Sequence, residues 1–172
     1  MQIWYKGKNY PVTIINNTIN SYKVSFNFEE FVISTPQKGV LSTFVNSRSN
    51  NLKITEAIEK WYRRQAKKEL TVKSIFYAGK LGVDFNRVSV KDTKTRWGSC
   101  SSKTNLNYNY HLIKMPEQVL DYVVVHEVCH LQELNHSKKY WELVRGLCPE
   151  YKTYVKWLKE NGKDFVGNKV EV

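Results

Sequence analysis

Residues 126–136 read HEVCHLQELNH, and this stretch decides the fold. Three of the chain's four histidines, His126, His130 and His136, fall within it, and Glu127 directly follows the first. Four residues of α-helix advance about 400°, which leaves His126 and His130 about 40° apart in azimuth and one turn apart along the axis. Both imidazoles can then reach one ion at about 2.0–2.1 Å. A further six residues advance about 600°, so an unbroken helix would point His136 away from the pair. The spacing therefore requires a break between His130 and His136. Asn135, a residue type that tolerates positive φ, is where the break is expected, and Ser137 is the expected cap of the next helix.

Three imidazoles on Zn²⁺ leave one tetrahedral position open, the arrangement of a catalytic rather than a structural site. In that reading Glu127 is the general base, taking a proton from water and returning it to the leaving amine. A bland reading stands beside it, because HExxH arises by chance and a helical histidine is commonly a hydrogen-bonded core residue. The apolar YVVV before the motif, the third histidine and the required break weigh toward a metal site. Cys129 is read as small buried packing facing away from the histidines. Glu133 and Glu142 are candidate carboxylates for orienting the imidazoles, or simply exposed helix carboxylates. His111 is expected on a strand face rather than at a metal.

Upstream of the motif, MPEQ places Pro116 and Glu117 where a helix begins, with negative charge at its positive end. Before that, RVSVKDTKTRWGSCSSKTNLNYNYHLI alternates with period two around turns at KDTK and SSKTN. Its last strand would carry Leu106, Tyr108, Tyr110 and Leu112 on one face and Asn107, Asn109 and His111 on the other. From about Asn51 to Gly82, Ile54, Ala57, Ile58, Trp61, Tyr62, Gln65, Ala66 and Leu70 recur at spacings of three and four, the mark of one long helix or two in series. Residues 1 to about 35 alternate in short stretches and read as a small β-meander, closed by Pro36 and Gly39. After the motif two short helices are expected, with Pro149 a restart and Gly162 a stop.

At 172 residues the chain suits one compact unit, divided for reference into an N-terminal β-meander, 1–45, and a core, 46–172. The fold class is α+β, with the HExxH helix packed on a small antiparallel sheet. No apolar run approaches the roughly 20 residues of a membrane span, and the start MQIWYKGKNY lacks the order of a secretory signal, so a cytoplasmic location without membrane contact is expected. Three cysteines without a CxxC pair argue for reduced thiols. The net charge of +11 makes nucleic acid a candidate partner, although no nucleic-acid-binding motif accompanies it.

Together, TRWGSCSSKTNLNYNYHLIKMP and VVVHEVCHLQELNHSKKYWELV resemble the YgjP-like group of zinc-dependent metallohydrolases, related to SprT-like and WLM-type minimal zincins. The resemblance covers nearly the whole chain. It implies a zincin-like core in which His126, His130 and His136 bind zinc and Glu127 is the base. It also implies a peptide or protein substrate laid along a strand beside the active helix, which would make Asn107, Asn109 and His111 part of the substrate strand. Arg96, Trp97 and Ser99 match the group's signature, with the strand propping the helix as one role for them. The glycine that metzincins place midway between the second and third ligands is here Glu133, so that clan is not assigned. The expected function is a zinc-dependent peptidase. The alternatives are a metal-dependent nucleotide phosphohydrolase and a nucleic-acid-associated module with a structural metal.

Overall fold

A single 35-residue helix, α1 (Ser47–Leu81), organises the chain. The computed structural model describes residues 1–36 and 47–166. On α1, Ile54, Ile58, Tyr62, Ala66, Leu70, Ser74 and Ala78 follow one another at i+4 and are all buried, so this stripe faces the core, with Ala57 and Gln65 of the expected set half-buried beside it. None of the described helices is long and apolar enough to cross a membrane.

The α+β class holds, and two pairings differ from expectation. The N-terminal strands β1 (Gln2–Tyr5), β2 (Lys8–Asn17), β3 (Lys23–Phe26) and β4 (Phe31–Pro36) form a sheet of order β1-β2-β4-β3. This is not a meander, because β4 inserts between β2 and β3 and runs parallel to β2, with Val12 opposite Phe31. Alternation fixes which side chains face inward but is the same for parallel and antiparallel neighbours, so it does not encode pairing direction. Burial of alternate residues Phe31, Ile33 and Thr35 gives β4 the centre of the sheet. Phe31 lies between Phe26, in a tilted contact at 4.6 Å, and Trp61 of α1, met edge-on at 4.9 Å, so Ile3, Phe31 and Ile33 share one core with the rest of the molecule. Gly39 and the reference boundary at 45/46 lie outside the described residues.

The second sheet contains β5 (Arg87–Lys91), β6 (Gly98–Cys100) and β7 (Asn105–Asn109) in the order β5-β7-β6. It is mixed rather than antiparallel: β7 runs parallel to β5 and antiparallel to β6. The 92–97 link carries the chain from β5 to the far edge, and β7 returns through the gap between them. That return uses a turn closed by Thr104 N donating to Ser101 O at 2.9 Å, with Thr104 at φ 53. The strand ends at Asn109, and Tyr110–Lys114 continue as a 3-10 helix, because the Asn109 side chain accepts from His111 N at 3.0 Å and turns the backbone.

Behind this sheet sit α2 (Glu117–Cys129), α3 (Lys138–Leu147) and α4 (Tyr151–Val166). Ser137 caps α3 as expected, its side chain accepting from Tyr140 N. Gly162 does not stop α4, which runs on through it to Val166. Its role is space: a Cβ there would come within 2.9 Å of the Trp97 ring.

Candidate metal centre

Helix α2 is a core helix, with Val123, Val124, Val125 and Val128 all buried. It ends at Cys129 with His130 as its C-cap at φ −67. The break thus begins at the second histidine itself, earlier than Asn135, and Asn135 is not among the residues with positive φ. No left-handed residue ends this helix: Leu131 N donates to Val128 O at 3.0 Å and Gln132 N to Cys129 O at 3.1 Å, and side chains serve the neighbouring carbonyls. Tyr140 Oη, from α3, donates to His126 O at 2.9 Å, and His130 Nδ1 lies 3.1 Å from Glu133 O. Both carbonyls belong to the end of α2 or the turn after it, where backbone acceptors lack helical partners.

The turn brings His136 back onto the pair. The ligand atoms of His126, His130 and His136 lie within 4.8 Å of one another, and the Nε2 atoms of His126 and His136 are 3.3 Å apart. Two nitrogens bound at about 2.0–2.1 Å to a tetrahedral ion stand about 3.3–3.4 Å apart, so the pair already has the separation a cation such as Zn²⁺ would impose. A carbonyl can only accept, so the contact to Glu133 O puts the His130 proton on Nδ1 and leaves Nε2 free as a ligand. Glu133 therefore does orient a histidine, but through its backbone; its carboxylate pairs instead with Lys139 at 3.5 Å. Burial, and then the neighbouring His130 and His136, hold His126 down to about 4, and burial also lowers His130. Neutral imidazoles are what a metal needs.

Tyr140 is a residue that sequence reasoning misses. It is buried and touches all three histidine rings, stacking on His130 at 4.5 Å and meeting His136 and His126 edge-on at 4.8 and 5.5 Å. Its place in the first turn after the Ser137 cap is the available signal. Trp141 stacks on His136 at 5.7 Å from the next position.

Glu127 is buried and lies against the edge strand. An added Cβ at Gly98 would stand 2.5 Å from Glu127 Oε1 and 2.6 Å from its Cγ, so the glycine of RWGSC makes the recess in which this carboxylate rests. A glycine inside a strand pattern is the signal for such a close approach. Burial pushes the Glu127 carboxyl up to about 8, opposed by the charge of Arg96. A divalent cation nearby would act in the same sense as Arg96 and hold the carboxylate ionised.

Three sequence expectations find different places. His111 is buried in the 3-10 helix rather than set on a strand; it stacks on Tyr110 at 4.1 Å and puts Nε2 3.4 Å from Asp92. Asn107 and Asn109 are on β7, but β7 is paired on both sides, so no peptide can add to it. Asn107 instead donates to Ser99 Oγ at 3.4 Å and Asn109 to Thr93 O at 2.7 Å, both holding the sheet together. The outer edge belongs to β6, which among the described strands pairs only with β7. Cys129 is buried as expected, and burial pushes its thiol up to about 12.

The model of the YgjP-like metallopeptidase domain matches residues 1–161. No curated protein matches the chain. Among solved structures, the metallopeptidase zymogen abylysin of Pyrococcus abyssi superposes with a TM-score of 0.50 at 17% identity, over 55% of this chain and 96% of that one. The metallopeptidase zymogen jannalysin of Methanocaldococcus jannaschii gives 0.44 at 19% identity, over 51% and 94%. The abylysin likeness is one of fold.

Proposed function

The chain belongs to the YgjP-like metallopeptidase family, and on that premise we propose that it is a zinc-dependent peptidase in which His126, His130 and His136 hold the ion and Glu127 is the general base. The observation that carries the reading is the convergence of three imidazoles from α2, its C-cap and the turn before α3. When bound, the ion supplies a Lewis acid that polarises the scissile carbonyl and acidifies water.

The chain's own groups do the rest. Glu127, set on the recess at Gly98, takes the proton of the attacking water on a carboxylate oxygen and passes it to the leaving amine. Tyr140 and the Glu133 carbonyl fix the ligands' positions from behind. The free edge of β6, directly beside Glu127, is where an extended peptide would add as a further strand, its backbone held by ladder hydrogen bonds.

The test is Glu127→Gln, which preserves shape and removes the base. Metal analysis of protein purified without chelator should find roughly one zinc per chain in both forms. Cleavage of a peptide library should fall by about 10²–10⁴-fold in the variant. A variant that retains full turnover sinks the mechanism, and wild-type protein that binds no divalent metal sinks the site.

A further inference from the structure

Next to the metal centre lies a cavity of about 890 Å³ between the 93–97 loop and α4. Its apolar walls include Trp97, Val155 and Leu158, and four cations line it: Lys94 and Arg96 from the loop, Lys159 and Lys163 from α4. Among the described residues no carboxylate lines it, and none of the four cations is in an ion pair. Lysine and arginine ion pairs among the described residues involve only Lys6, Arg63, Lys73, Lys139 and Lys156, so an unpaired cation is ordinary on this surface; what marks these four is that they share one recess with apolar walls and no carboxylate.

Two connections tie the cavity to the reaction site. Tyr122, on its wall, places Oη 3.5 Å from His126 Nδ1. The 93–97 loop also runs directly into the edge strand β6, and it is fastened to the sheet: Asn109 N donates to Trp97 O at 2.8 Å and Asn109 Nδ2 to Thr93 O at 2.7 Å. A peptide paired with the β6 edge and continued toward Arg96 therefore passes over a prebuilt pocket, with successive side chains about 3.4 Å apart along it.

We propose that this pocket is a specificity subsite that receives an acidic side chain of the peptide substrate, an inference that rests on the peptidase reading above. The carboxylate meets the ring of cations while its methylenes lie on Trp97 and Leu158. A nucleic-acid strand is the poorer fit. Its phosphates repeat along the whole polymer and call for an extended polar track of cations, whereas Lys94, Arg96, Lys159 and Lys163 line a recess walled by Trp97, Val155, Leu158 and Val166, and the adjoining recess that Lys94 and Arg96 also line adds Lys91 alone.

The experiment uses fluorescent peptides of one sequence carrying Glu, Ala or Lys at successive positions. They are titrated by anisotropy against zinc-loaded Glu127→Gln protein, whose turnover, slowed about 10²–10⁴-fold, leaves the peptide intact during the measurement. At one position Glu should bind about tenfold tighter than Ala, the combined effect of two or three exposed ion pairs, and the advantage should shrink at high salt. The double variant Lys159→Glu/Lys163→Glu, made at exposed positions and checked by circular dichroism and zinc content, should abolish or invert the preference. Equal affinity for Glu and Ala at every position overturns the subsite. So does displacement of the acidic peptide by oligothymidylate at lower concentrations than by the unlabelled peptide, which would assign the cations to nucleic acid. Wild-type protein that cleaves no peptide while the binding preference persists overturns the peptidase reading alone; cleavage without acidic preference overturns the subsite alone.

Discussion

At Gly98 the missing Cβ is occupied by the end of another side chain. An added methyl would meet Glu127 Oε1, Cγ and Cδ at 2.5, 2.6 and 2.8 Å. Because it meets a rotatable side chain rather than backbone, the fold can yield by moving the carboxylate. Gly98→Ala should thus keep its metal, lose about 1–3 kcal/mol of stability through overpacking against this buried carboxylate, and lose about 10²-fold in kcat, the scale expected when a reacting group is misplaced by about 1 Å. Stopped-assay kinetics with zinc analysis would check this, and an unchanged kcat would show that Glu127 needs no fixed seat. The convergence of the three histidines can be read from the sequence because one helix and the turn after it bring them together locally. Gly98 cannot be paired with Glu127 in advance, because they meet only once β6 is docked on α2.

Among the elements, α4 shows how a local rule gives way to packing. Glycine in a helix is ordinarily about 0.5–1 kcal/mol worse than alanine. Gly79 in α1 has open space where a Cβ would stand, with nothing within 4 Å, so Gly79→Ala should stabilise by about that amount. Gly162 in α4 faces the Trp97 ring at 2.9 Å, and Gly162→Ala should instead destabilise by about 1–3 kcal/mol through overpacking. Urea unfolding of the two variants gives opposite signs if Trp97 is wedged on α4, and the same sign if it is not. Propensity alone makes Gly162 a stop, and the true reason for the glycine lies on a different element. Helices α1, α2 and α3 are legible from spacing and caps, such as Ser137. The strands are legible as strands, but their neighbours and directions are not, since Val12 and Phe31 carry no local mark of running parallel. The end of α2 is likewise hidden from local reasoning, because His126 O, one of its last carbonyls, accepts from Tyr140 Oη of another helix.

For the whole molecule, opposed titrations set a pH optimum that the metal should move. In the metal-free protein burial lowers His126 and His111 to about 4 from 6.5, and lowers His130 as well. The unfolded chain then binds more protons than the folded one as pH falls below 6.5, so these groups make stability rise with pH from about 4 to 6.5. Glu127 has the opposite sign: burial raises it from 4.5 to about 8, so the folded chain keeps a proton that the unfolded chain loses, and stability falls as pH rises through that interval. Three histidines outweigh one carboxyl up to 6.5, and above it Glu127 alone of the four still titrates, toward 8. Metal-free protein should therefore be most stable near pH 6.5, with a slope of roughly 1.4–2.7 kcal/mol per pH unit below it, where the net difference is one to two protons, and of about 1.4 above it, where it is one. Zinc requires neutral imidazoles, which burial already favours at His126 and His130, and it favours an ionised Glu127, which the metal-free fold keeps protonated up to about 8, so its stabilisation should grow with pH toward 8. Urea unfolding of chelator-stripped and zinc-reloaded protein between pH 4.5 and 8 tests this in one series: the optimum should shift upward on loading. A common optimum for both forms would mean that the ion does not sit among these histidines and beside this carboxylate.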